Sequence, residues 1–175
     1  MMTSFWRWFF IGSGAGPGIR RLFDLWLLAH IAVGASLSLL VPISLEASSN
    51  GILLPLAGIF IGLSFAWGGN AQALIQTSEI MELAGKRKGG FLEYLYAYQL
   101  AILLILVSLS CWALAGLGIF DQVWPLDQQS RQYKVLSAGL FALASITLRE
   151  CWHVVVGAQA MLAIRLTLRE KQRND

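Results

Sequence analysis

Residues Tyr94–Phe120 read YLYAYQLAILLILVSLSCWALAGLGIF, an unbroken run without one acidic or basic side chain. At about 1.5 Å of rise per residue a helix of this length covers about 40 Å, more than the roughly 30 Å hydrocarbon core of a bilayer. Tyr94, Tyr96 and Tyr98 stand at one end and Trp124 just past the other, where an interfacial aromatic belt belongs. The stretch is therefore predicted to cross a membrane.

Working outward, three more apolar runs of spanning length are predicted, at about Leu22–Leu45, Ile52–Leu74 and Val135–Ala158. Ser48-Ser49-Asn50-Gly51 is expected as the tight turn between the first two. Pro55 then falls in a first helical turn, where its missing amide costs nothing. Apolar residues at helical spacing continue beyond the second run to about Leu83 and beyond the fourth to about Leu168. Both helices are thus expected to project past the bilayer, the second ending near Gly85 before the turn Lys86-Arg87-Lys88.

Upstream, Phe5–Ile11 is aromatic, short and interrupted by Arg7, which suits the headgroup boundary rather than a secretory leader. Gly12–Gly18 follows as a joint; it lacks the Lys-Ser/Thr ending of a phosphate-binding loop. The fold class predicted is all-α: one integral-membrane four-helix bundle with a short interfacial N-terminal segment. A chain of 175 residues that is 57% hydrophobic and 13% charged exceeds the apolar share of an ordinary soluble domain.

Charge placement sets the expected orientation. Of 13 basic residues, Arg7, Arg20 and Arg21 precede the first run, Lys86, Arg87 and Lys88 join the second to the third, and Arg165, Arg169, Lys171 and Arg173 end the chain. The opposite side holds only Arg131 and Lys134. The positive-inside rule then puts both termini in the cytoplasm, as in a multi-pass inner-membrane protein. No clustered basic face is left for nucleic acid. Cys111 and Cys151 lie within apolar runs and read as packed thiols rather than a disulfide.

Arg149, Glu150 and His153 interrupt the fourth run. Ionisable groups cost about 2.5–3.5 kcal/mol each at the centre of a span, so partners are expected. His153 is one turn from both, whereas Arg149 and Glu150 diverge by about 100°. Arg149 is accordingly expected to pair with another helix, and Glu150 with His153, a hydroxyl or an amide. Counted from the outer ends, His30 lies about 22 Å deep, Asn70 about 27 Å, Arg149 to His153 about 21–27 Å, and Gln99 about 31 Å. These six residues are the candidate buried polar layer, with helix cross-linking as its simplest role.

Three chemistries compete with that role. His30 and His153 could ligate a b-type haem. Glu150-x-x-His153 is half of a dimetal motif, without a second half at that depth. A proton or ion path through Glu150, His153 and His30 would need oligomerisation to form a pore. No cofactor or metal is expected from these fragments.

Gly58 and Gly62 form a GxxxG, a pattern that lets helix backbones approach closely. Glu79, Glu82, Lys86, Arg87 and Lys88 are the candidate cytoplasmic docking residues. The functional expectation is a non-catalytic inner-membrane subunit of a bacterial envelope assembly, such as a conjugation or secretion apparatus. Its partners would be lipids and other membrane or cytoplasmic subunits, including further copies of itself. The alternatives are a membrane-acting defence or immunity protein, an oligomeric pore, or a small b-type cytochrome.

Overall fold

The computed structural model describes residues 4–12, 17–41, 43–75, 77 and 90–174. Every regular element among the described residues is helical. The helices are α1 (Phe5–Phe10), α2 (Leu25–Leu40), α3 (Leu45–Ser48), α4 (Leu54–Ile75), α5 (Gly90–Gly116) and α6 (Arg131–Asn174). A 3-10 turn occupies Gly18–Arg21, and π-helical turns occupy Ser49–Leu53 and Ile119–Val123. Three stretches are long and apolar enough to cross a membrane, Leu45–Gly62, Leu95–Gly116 and Arg131–Thr167. The 16 residues of α2 are apolar but shorter, about 24 Å in all. The 44 residues of α6 extend about 66 Å, twice the hydrocarbon thickness.

The chain divides into two compact units, one of residues 23–61 and 102–150, the other of 1–22, 62–101 and 151–175. In the first, α2 and α6 run antiparallel along a seam of small and polar residues. The Ser38 hydroxyl donates to the Lys134 carbonyl at 2.9 Å. A turn deeper, Gly34 lies so close to α6 that a Cβ there would stand 2.7 Å from the Ala142 amide nitrogen and 2.8 Å from its Cβ. Lipid tails are as apolar as leucine, so burial alone gives membrane helices little reason to associate. Close packing and hydrogen bonds hold them instead.

The end of this unit that carries both connecting loops is the better filled. Leu45, Trp112, Ala115, Tyr133, Leu140 and Phe141 form its buried core, with the Trp112 and Phe141 rings 5.3 Å apart. The Tyr133 hydroxyl accepts from the Leu45 amide at 2.8 Å, satisfying a donor that α3 leaves free at its start. Ser49 Oγ donates to the Trp112 carbonyl at 2.6 Å and Asn50 Nδ2 to the Gly116 carbonyl at 2.9 Å. α5 ends at Gly116, and Gly118, just before the π-turn Ile119–Val123, has a φ of 71°, a conformation open to glycine.

Several predicted boundaries are corrected here. The first helix ends at Leu40, not Leu45, because Pro42 forces the residue before it out of helical conformation; Val41 is extended at φ −95°, ψ 103°. Ser44 then caps α3 by accepting from the Ala47 amide at 3.2 Å. Ser48-Ser49-Asn50-Gly51 is not a tight turn but helix and π-turn, with Ser48 and Ser49 buried. The third helix covers Gly90–Gly116 rather than Tyr94–Phe120. The last begins at Arg131 rather than Val135, as Ser130 accepts from the Tyr133 amide at 3.2 Å.

In the second unit, α1 is capped by Ser4, whose hydroxyl accepts from the Arg7 amide at 3.4 Å. Trp8 is only 1% exposed and packs on Tyr96 of α5 with ring centroids 5.5 Å apart. Gly18 lies against its other side, where a Cβ would come 2.7 Å from Trp8 Cε3. The predicted end of the second helix at Leu83, its stop at Gly85 and the docking residues Glu79, Glu82, Lys86, Arg87 and Lys88 fall outside the described residues.

Candidate functional site

The charged network of the first unit that involves Arg149 is built where α2 begins. Asp24 caps α2: its carboxylate accepts from the Leu27 amide at 3.1 Å, as an aspartate ahead of an apolar helix should. The same oxygen, Oδ1, accepts from Arg149 Nη1 at 3.0 Å. Arg149 turns its other edge to Glu150, with Nη2 at 2.9 Å and Nε at 3.0 Å from Oε1. The guanidinium is thus clamped between two carboxylates, with the Arg149 and Glu150 side chains only 10% and 12% exposed and Asp24 40% exposed. Asp24 is the side of the network open to its surroundings.

One and a half turns into α2, His30 Nδ1 shares a 2.7 Å hydrogen bond with Ser145 Oγ of α6. His30 Nε2 is buried without a hydrogen-bond partner. Asp24 itself stands ahead of the apolar helix. Burial raises its pKa, but Arg149 and the Leu27 amide together lower it further, and the net result lies below the ordinary 3.8. Among the described residues no three His, Cys, Asp or Glu side chains come together to hold a metal ion.

No family model, curated protein or solved structure significantly matches this chain. Any function must therefore be reasoned from its own residues.

Of the six residues expected in a polar layer, the structure joins Arg149 and Glu150, together with Asp24, in one ion-paired cluster, and His30 of the same unit bonds separately to Ser145. Gln99 and His153 have exposed side chains and belong to the other unit; His153 has an interaction of its own. The Asn70 side chain lies outside the described residues.

Arg149 was expected to avoid Glu150 and pair across helices. It pairs with Asp24 at the start of α2 and also with Glu150, since its long stem spans the 100° between neighbours and its planar fork donates along two edges. Asp24, Ser145 and Gly34 are the participants that sequence reasoning missed. Asp24 had a legible signal, an acidic residue immediately before an apolar run. Gly34, with Ala138 and Ala142 one turn apart, is the small-residue spacing that was noticed only in α4.

Proposed function

We propose that the protein is a four-span, non-catalytic inner-membrane subunit with both termini in the cytoplasm, working through contacts with other proteins of a bacterial envelope assembly such as conjugation or secretion machinery. The three long apolar helices support a membrane location, and α2 is the fourth span of this reading. The side-by-side basic residues at Arg20 and Arg21, at Lys86–Lys88 and beyond Arg165 support the orientation.

The observation that carries the contact reading is the outward face of α4. Gly58 and Gly62, one turn apart, are exposed, and a Cβ on either would meet no atom within 4 Å. Small residues persist in membrane helices chiefly where another backbone comes close. Here that backbone is not supplied by the described residues of the chain itself. Each guanidinium nitrogen of Arg149, by contrast, is engaged by Asp24 or Glu150, which favours holding α2 to α6 over exchanging charge with a substrate.

Gly58→Leu/Gly62→Leu tests this. The double variant should fold, because the space is open, yet lose its native-mass complex on blue-native electrophoresis of mildly solubilised membranes. An unchanged complex would remove the contact face. A Soret band in the purified protein, or conductance in liposomes, would replace the reading with a cytochrome or a pore.

A further inference from the structure

We infer that α1 and the 3-10 turn after it form a binding site for the headgroup of an anionic glycerophospholipid. The six residues of α1 are aromatic on nearly every side. At 100° per residue, Trp8 points opposite the direction shared by Trp6 and Phe10. The Trp8 side is occupied: its ring is buried against Tyr96 and Gly18, and Phe5 reaches Tyr96 with centroids 6.3 Å apart. The opposite side is open. Trp6 and Phe10 lie parallel at 6.4 Å and 19°, and both are exposed by more than half of their surface.

An aromatic pair held rigidly from behind and bare in front suits the layer between headgroup and acyl chain, where indole and phenyl rings meet both apolar and polar surroundings. The charge around it selects the lipid. Residues 1–22 contain Arg7, Arg20 and Arg21 and no acidic residue, and the Arg7 and Arg20 side chains are exposed. Guanidinium groups pair with phosphate through two parallel hydrogen bonds. The aromatics supply depth without distinguishing headgroups, whereas the arginines favour a headgroup that keeps net negative charge. Gly18 is what lets this chain segment close over Trp8, so the turn carrying Arg20 is fixed to the helix carrying Arg7.

The test uses the full chain in mild detergent, titrated with dioleoylphosphatidylglycerol or dioleoylphosphatidylcholine and read by native mass spectrometry. Wild type should bind phosphatidylglycerol more tightly, and Arg7→Gln/Arg20→Gln should reduce that preference about 25-fold, about five-fold for each arginine. Arg7→Lys/Arg20→Lys should retain most of it, and Trp6→Ala/Phe10→Ala should weaken both lipids alike. Raising salt on the unaltered protein should also erase the preference, which needs no variant to fold. The inference fails if the glutamine pair keeps the wild-type preference with unchanged helix content by circular dichroism. It fails equally if Arg131→Gln/Lys134→Gln, in the other compact unit, lowers the preference as much.

Discussion

The seam between α2 and α6 and the bare face of α4 are written in the same letters. Each has small residues one turn apart, Ala138 and Ala142 facing Gly34 in the seam and Gly58 and Gly62 on α4. In the seam the gap is filled by a backbone of the same chain, and at its end Asp24, Arg149 and Glu150 close a charged clamp. On α4 nothing stands within 4 Å of a Cβ placed at either glycine. A small-residue pattern therefore marks where a helix can be approached, and only three-dimensional neighbours tell whether the approach happens within the chain.

The sharpest way to break this contrast is to enlarge both faces. Gly34→Leu should lower stability by about 3 kcal/mol, the upper range for forcing volume into a packed site. Gly58→Leu should stay within about 0.5 kcal/mol, as for an exposed change. Thermal unfolding of the purified proteins in detergent measures both, and similar losses would mean that the α4 face is filled in the isolated protein.

Arg149→Leu should follow at about 2 kcal/mol, below the 3–5 kcal/mol of a fully buried broken pair because Asp24 is partly exposed. It leaves Glu150 buried beside a lost cation. Leu148→Ala, at an exposed position on the same helix, should cost less in the same assay, and the reverse order would assign Arg149 to function rather than to the seam. His30→Ala should cost about 1 kcal/mol, the scale of one interhelical hydrogen bond in a membrane. A Ser145→Ala change should add little on top of it, which a double-mutant cycle reads directly.

The smallest effect concerns pH. The Asp24 carboxyl is held below its ordinary value, so its contribution is fully present above about pH 4 and declines as acid carries the pH down through the lowered folded value. Asp24→Asn keeps a capping side chain and should remove that part of the acid sensitivity. An identical stability profile from pH 5 to pH 3 in the variant and wild type would mean that the Arg149 pair gives no net stabilisation.

What could be read from the sequence was what composition and length determine: the helical class and the apolar runs behind the three long helices. Their azimuth was not legible. A helix whose neighbours are lipid on one side and protein on the other is apolar all round, so periodicity no longer marks the inward face. That is why Gln99 and His153, deep in apolar runs, have exposed side chains, while Ser145 and Gly34, polar or tiny, face a partner helix. Pro42 was legible and changes most, since one ring moved the end of α2 by five residues and shifted every depth counted from it. Asp24 was equally legible as a cap, but no local rule connects a cap on one helix to an arginine 125 positions away.

The brevity of α2 bears on where such a protein resides. In a four-span arrangement its 16 residues, about 24 Å, fall some 6 Å short of an average hydrocarbon core of about 30 Å. That mismatch is relieved by thinning the bilayer locally or drawing flanking side chains inward, at a fraction of a kcal/mol per Å. Lipids with shorter acyl chains would relieve it without strain. In that arrangement membrane thickness, a property of no single residue, would act as a sorting signal for the chain.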